Sequence, residues 1–211
     1  MGRQLLADPQ LAKRLMDGRP DLVRPCINCF VCVAENFWDE SPVCAVNARL
    51  GRPDAPKVRA ADVPRRIAVV GGGPAGLEAA RVAASRGHDV TIFERADHLG
   101  GTARFSAVTT PINATLIDYL AASVGELGVN VRLRSEASAD EIEAASFDAV
   151  VVATGAHRGR PPIPGAELDH VLTGDDLRMM LTGGNGAALC GLSTGQRFAV
   201  KAAQRLHLTT P

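Results

Sequence analysis

The sequence predicts an α/β fold in which a parallel sheet, covered by helices on both faces, follows an irregular segment. Three observations carry that prediction. From Arg65 onward, short apolar runs alternate with helix-length stretches, the pattern of strands joined by crossover helices. The first of those runs ends in Gly71-Gly72-Gly73-Pro74-Ala75-Gly76, a glycine-rich strand-to-helix turn. Upstream, residues 26–60 hold Cys26, Cys29, Cys32 and Cys44 among scattered prolines, with no regular periodicity.

Taken in order, residues 1–25 contain one helix-like stretch over 9–16, opened by Asp8 as a cap with Pro9 at its first position, and closed by Gly18. No strand precedes it, so the segment reads as the tail of another element. Residues 26–60 are expected to lack regular structure, and a loop of about 35 residues needs an internal scaffold. Strands are expected over 67–70, 89–93, 129–133 and 149–153, and helices over 77–86, 112–127 and 140–145. In the longest helix Leu116, Ile117, Leu120 and Val124 share one face. Beyond Pro164 only 175–181 and 196–207 look helical.

Bulk properties narrow the function classes. The 211 residues carry 23 basic and 23 acidic side chains. A neutral balance without a clustered basic face argues against nucleic acid. No apolar run approaches the roughly 18 residues that span a bilayer. Residues 1–20 are charged throughout and lack an apolar centre, so a cytoplasmic location is expected. In a reducing compartment clustered cysteines are more often ligands than disulfides. Cys190 stands apart in an apolar context and reads as structural.

The glycine turn fits a dinucleotide fingerprint because a buried strand precedes it and a helix follows. Gly71 permits the tight turn, Gly73 lets a pyrophosphate approach the backbone, and Gly76 lets helix and strand pack closely. The helix N-terminus at Pro74, Ala75 and Gly76 offers amides and a partial positive charge to phosphates. Glu94 ends the second strand 18 residues after Gly76. A carboxylate there accepts hydrogen bonds from ribose hydroxyls and repels a 2′-phosphate, an exclusion that neighbouring Arg95 weakens slightly. Gly100-Gly101 offers a second close backbone approach. Ala153-Thr154-Gly155 at the end of the fourth strand resembles flavoproteins with two dinucleotide-binding domains. FAD is the first choice of ligand, with NAD or bare ADP as alternatives.

The cysteine spacing is C-x2-C-x2-C-x11-C. Three ligands from one tight loop and a fourth from its return suit a 4Fe–4S cluster bound by Cys26, Cys29, Cys32 and Cys44. Structural zinc, the competing metal, more often sits between two separate C-x2-C knuckles. Phe30, Val31, Val33, Phe37 and Trp38 surround the ligands, either as a water-excluding shell or as ordinary packing.

These residues together resemble the iron–sulfur branch of the NADH:flavin oxidoreductase (Old Yellow Enzyme-like) family, which includes 2,4-dienoyl-CoA reductase and trimethylamine dehydrogenase. The match runs through Met1-Gly2-Arg3, Ala7-Asp8-Pro9, Gly18-Arg19-Pro20, Arg24-Pro25-Cys26-Ile27-Asn28-Cys29, Cys44 and Asn47. It continues through residues 69–80, Glu94, Gly100-Gly101 and Ala153-Thr154-Gly155. The family plan is a (β/α)8 barrel holding FMN, then a 4Fe–4S loop, then FAD- and NAD(P)H-binding domains. The resemblance implies that residues 1–25 are a remnant of the last barrel unit, 26–60 the cluster loop, 61–167 the FAD domain, and 168–211 a helical tail truncated before a second nucleotide domain. It further implies that Gly2 and Arg3 contact the FMN phosphate. Thr102 stands where relatives often carry Gln against the flavin nucleotide, and the backbone of Ala137 is matched to the adenine end. Departures from the family pattern include Asn28 in place of Gly and Ala107 in place of a Lys.

The implied electron path runs from NAD(P)H to FAD, singly through the cluster, and on to FMN. The chain would therefore be the electron-transfer portion of an ene-reductase or amine dehydrogenase. The missing barrel and NAD(P)H domain would be supplied in cis or by a partner chain. No catalytic acid or base is assigned; His88, His98, His157, His170 and His207 read as surface or turn residues. The alternatives are a nucleotide-binding module with a structural four-cysteine zinc site, and an inactive gene fragment.

Overall fold

The computed structural model describes residues 2–54, 57–156, 159–168, 171–181 and 193–205. The chain forms two compact units, one of Met1–Arg104 with Pro111–Thr154, the other of Phe105–Thr110 with Gly155–Pro211. The first unit is built on a parallel sheet of β1 (Arg66–Val70), β2 (Asp89–Phe93), β3 (Asn130–Arg132) and β4 (Ala149–Val152). The strand order is β3-β2-β1-β4, and Val69 lies opposite Ile92 on one side and Val151 on the other. That order is half of a doubly wound dinucleotide fold, with β1 inside the sheet.

The helices are α1 (Gly2–Ala7), α2 (Leu11–Met16), α3 (Val31–Phe37), α4 (Pro74–Ser85), α5 (Gly101–Thr109), α6 (Ile112–Glu126), α7 (Ala139–Ala144), α8 (Gly174–Leu181) and α9 (Thr194–Arg205). Helix α4 starts three residues before the expected 77, because Pro74 occupies its first position with a preset φ. Strand alternation then sorts the core. Ile67, Val69, Val90 and Ile92 join Leu77 and Ala80 of α4 and Tyr119, Leu120 and Val124 of α6 in one cluster. Ala68 and Phe93 turn to the other face and meet Ile142 of α7. A reciprocal capping box starts α7: the Glu141 amide donates to Ser138 Oγ, and the Ser138 amide donates to the Glu141 carboxylate. Covering of that second face stops short of β4, where Val150 is 45% and Val152 75% exposed.

Three expectations change. The single helix over 9–16 is replaced by α1 and α2, and Asp8 caps neither. Its carboxylate, 3% exposed, accepts from the Gln10 amide at 2.9 Å and the Arg24 amide at 2.9 Å, and lies 3.4 Å from the Arg14 guanidinium. A carboxylate has room for several donors, so it ties two segments together instead of ending one helix. The stretch over 26–60 is not wholly irregular, because the seven-residue α3 forms within the run between Pro25 and Pro42, which holds no Gly or Pro. Helix α5 begins at Gly101, over residues for which no helix was expected, so the pair read as a close backbone approach also stands at a helix start.

In the second unit, α8 is capped by Thr173 and Asp176, each donating its amide to the other's side chain. Arg160 donates to the Ala166 carbonyl, and a cleft of about 470 Å³ lies between residues 159–166 and 171–174. Cys190, His157, His170 and His207 lie outside the described residues.

Replacing Leu77, which is fully buried, by Ala should lower stability by about 3 kcal/mol in urea unfolding. Val152→Thr, on the open face of β4, should stay within about 0.5 kcal/mol of the parent.

Candidate dinucleotide site and cysteine segment

At the end of β1 the backbone turns at Gly71, whose φ is +110°. A Cβ at Gly71 would lie 2.3 Å from the Ala153 carbonyl oxygen and 3.1 Å from the Thr154 nitrogen. The Gly71 amide donates to the Phe93 carbonyl, and the Ala153 amide to the Val70 carbonyl. The turn is thus clasped between the ends of β2 and β4. At Gly76 a Cβ would come within 1.9 Å of the Gly71 carbonyl oxygen, a contact no side chain survives. Gly73 differs: its φ is −75°, and a Cβ there would meet no atom within 4 Å. The fold demands Gly71 and Gly76, whereas Gly73 leaves an open cradle at the start of α4. The first intrahelical donor is the Leu77 amide, to the Gly73 carbonyl, so the Ala75 and Gly76 amides lack intrahelical acceptors.

Glu94 is 9% exposed and holds this turn directly. Its Oε2 accepts from the Gly72 amide at 2.7 Å and its Oε1 from the Ala96 amide at 2.8 Å. A Cβ on Gly72 would fall 2.7 Å from Leu99 Cδ2 and 3.0 Å from Glu94 Oε2, so a side chain there would have to displace both. Gly72 is a position of the turn that the fingerprint pattern leaves free; its only signal was a third consecutive glycine. A carboxylate accepts about four hydrogen bonds, so each Glu94 oxygen keeps capacity for a second donor.

The double glycine closes the cradle. Gly100 donates its amide to the Gly72 carbonyl at 2.9 Å, and a Cβ on Gly101 would lie 3.2 Å from Gly73 Cα. Pro74 and Ala75 form the first turn of α4 beside it. Arg95 and Thr102 are exposed, and Gly155 has a φ of +83°. Ala137 packs instead against Ala68, Phe93 and Ile142 on the other sheet face.

The four cysteines are free thiols, with Cys29 exposed and Cys26, Cys32 and Cys44 partly buried. Asn28 (φ +54°) and Phe30 (φ +60°) are left-handed, placing one chain reversal between each pair of successive loop cysteines. Cys32 lies on α3. Among the described residues no three His, Cys, Asp or Glu side chains are gathered so as to hold a metal ion. The fit to a soft metal centre therefore rests on donor chemistry, four unpaired thiols on one tightly turned segment. The aromatics form neither a shell nor a core: Phe37 is 81% and Trp38 78% exposed, while Phe30 lies 4.3 Å under the Arg3 guanidinium. Gly2 is exposed, and Arg3 Nη1 is buried without a hydrogen-bond partner, an unused donor that suits an anion.

Both ends of the cysteine segment are pinned. Gln4 Nε2 donates to the Arg24 carbonyl at 2.7 Å, and the Cys26 amide donates to Gln4 Oε1 at 2.8 Å. At the other end, Asn47 Nδ2 donates to the Leu6 carbonyl at 2.8 Å. Arg24 Nη1 donates to the Val46 carbonyl, Nη2 lies 3.3 Å from Glu78 Oε1, and the guanidinium sits 5.2 Å from the Tyr119 ring centre. Burial alone would raise the Glu78 carboxyl, but the guanidinium of Arg81, hydrogen-bonded to it, and that of Arg24 hold it below the usual carboxylate range. Of the histidines, His88 Nδ1 accepts from the Arg65 amide and His98 Nδ1 lies 2.6 Å from Asp97 Oδ1, both in turn roles.

A family model described as an NAD(P)-binding Rossmann-like domain matches residues 69–124. The chain is 40% identical over 171 residues to a metal reductase of Desulforamulus reducens, covering 78% of this chain and 26% of that protein. Among solved structures, a 2-naphthoyl-CoA reductase complex superposes with a TM-score of 0.74 at 38% identity, covering 76% of this chain and 25% of its own. The 6-hydroxypseudooxynicotine amine oxidase of Pseudomonas geniculata N1 gives 0.77 at 34% identity, with coverages of 83% and 29%. The chain thus spans about a quarter of the length of the proteins it matches. No helix among the described residues is long and apolar enough to cross a membrane.

Gly73→Ala should fold with an unchanged melting temperature yet weaken dinucleotide binding at least about tenfold, a loss of about 1.4 kcal/mol by titration calorimetry. Gly76→Ala should lower the melting temperature outright, because its Cβ has no room.

Proposed function

We propose that this chain, which belongs to the 2,4-dienoyl-CoA reductase / trimethylamine dehydrogenase family of oxidoreductases, is the electron-transfer portion of an FAD- and 4Fe–4S-dependent flavin oxidoreductase. The observation that carries this reading is the anchoring of a four-cysteine segment, through Arg24 and Glu78, to the same helix α4 whose N-terminus opens on the glycine cradle. Electron carriers must be held close and in fixed relation, and one rigid helix achieves both.

The chain's own residues have defined tasks. Gly73 leaves room for a pyrophosphate, and the Ala75 and Gly76 amides at the positive end of α4 balance its charge. Glu94 keeps the turn closed and accepts from the ribose hydroxyls of FAD, at the expense of a 2′-phosphate. Gly100, Gly101 and Thr154 line the same cradle; Arg95, Thr102, Ala137 and Gly155 are assigned to the nucleotide by family position alone. Cys26, Cys29, Cys32 and Cys44 would hold the cluster. Gly2 and Arg3 would meet an FMN phosphate, Arg3 through its spare Nη1. When bound, the flavin supplies the exchange between hydride and single-electron chemistry, and the cluster the single-electron carrier. A cytoplasmic setting keeps the four thiols reduced.

The relatives' names specify a metal, a CoA thioester and an amine as substrates, yet all three share this quarter. That supports a shared part that delivers electrons and leaves substrate choice to an FMN barrel lying mostly outside it, with an NAD(P)H-binding domain in cis or on a partner chain. On this plan residues 1–25 belong to the barrel, 26–60 to the cluster loop, 61–167 to the FAD domain and 168–211 to the tail leading onward.

Anaerobic reconstitution with ferrous iron, sulfide and FAD should yield about four irons and about one FAD per chain, and a paramagnetic signal on reduction. A colourless chain retaining only zinc would sink this reading.

A further inference from the structure

We infer that Arg24 is a positioning residue that locks the cysteine segment, at both of its ends, onto the dinucleotide helix. The inference rests on the reading that this segment carries the redox centre. Three segments meet at one side chain. Its own backbone sits two residues before Cys26, and its carbonyl accepts from Gln4, which also accepts from the Cys26 amide. Its Nη1 reaches the carbonyl of Val46, two residues beyond Cys44. Its Nη2 engages Glu78, one turn into α4, and its Cζ lies 5.2 Å from the ring centre of Tyr119 of α6.

The site is built for a guanidinium. The Arg24 side chain is 13% exposed, Val46 is 7% exposed, and Glu78 is shared with Arg81. A planar fork serves a carbonyl and a carboxylate in different directions while keeping its charge over a ring; an ammonium on a flexible stem cannot do all three. Arg81 keeps Glu78 compensated when Arg24 is removed, so loss of Arg24 frees the segment without stranding a buried carboxylate. The Asp8 carboxylate fixes the Arg24 backbone through its amide, so the side chain starts from a defined point. The lock sets the distance between the thiols and the glycine cradle, a geometric requirement for electron transfer that the cysteine spacing alone does not meet.

The test uses the intact metal-free chain. Alkylation of each thiol by iodoacetamide is followed by mass spectrometry, with exposed Cys29 as internal reference, and FAD affinity is measured in parallel. Arg24→Gln should speed alkylation of Cys26 and Cys44 about tenfold relative to Cys29, as local opening becomes easier, while FAD affinity stays within about twofold. Arg24→Lys should fall between, and Glu78→Gln, which keeps the bond to Val46, should speed both thiols less. Unchanged Cys26 and Cys44 rates in Arg24→Gln would overturn the inference. Should that variant fail to fold, unchanged rates in both Glu78→Gln and Arg24→Lys would do the same. The readout needs no metal, so failed iron uptake with the expected alkylation pattern would overturn the electron-transfer reading and leave the lock standing.

Discussion

Helix α4 can lie where it does only because Gly76 passes within touching distance of the Gly71 carbonyl, where any Cβ would stand 1.9 Å from oxygen. That backbone contact sets the angle at which the helix leaves the sheet. It brings Leu77 and Ala80 onto Val69 and Ile92, which anchors the larger core. It also aims the helix N-terminus at the open space over Gly73, and it places Glu78 within reach of Arg24. Fold, cradle and cysteine segment therefore share one geometric condition.

On the proposed reading a single side chain, Glu94, serves the turn and ligand choice together. Its two oxygens are already engaged by the Gly72 and Ala96 amides, so the carboxylate is oriented before any ligand arrives. Preorganised acceptors lose little conformational freedom on binding, and a fixed negative charge would discriminate against phosphate at the ribose of the proposed ligand. The tight fit of Gly72 against Leu99 and Glu94 is the structural counterpart of that arrangement.

Much of this was legible in the chain itself. The parallel sheet, the fingerprint turn and Glu94 announce themselves because strand alternation and glycine spacing are local signals. Helix α3 escaped because a seven-residue helix carries too little periodicity to stand out. Asp8 was misjudged because a residue that suits a helix cap also suits any pair of free amides, and its second partner, Arg24, is 16 residues away. Gln4 and Glu78 left no pattern at all, and Arg24 and Asn47 stood out only as positions of the family match, without a role: their bonds reach 20 to 54 residues along the chain, and only the fold reveals them. The gathering of the four thiols was expected from spacing, yet the described structure gives their loop and its anchors without bringing the sulfurs together.

The central claim is that the glycine cradle and Glu94 form a half-site for an adenine dinucleotide flavin. Flavin fluorescence titration of the intact chain with FAD and, separately, FMN tests it most directly. FMN lacks the adenosine half that Glu94 and the α4 N-terminus would hold. The account predicts saturable one-to-one quenching of FAD and at least about tenfold weaker binding of FMN. Equal affinity for the two flavins, or no binding of FAD to a folded chain, would contradict it.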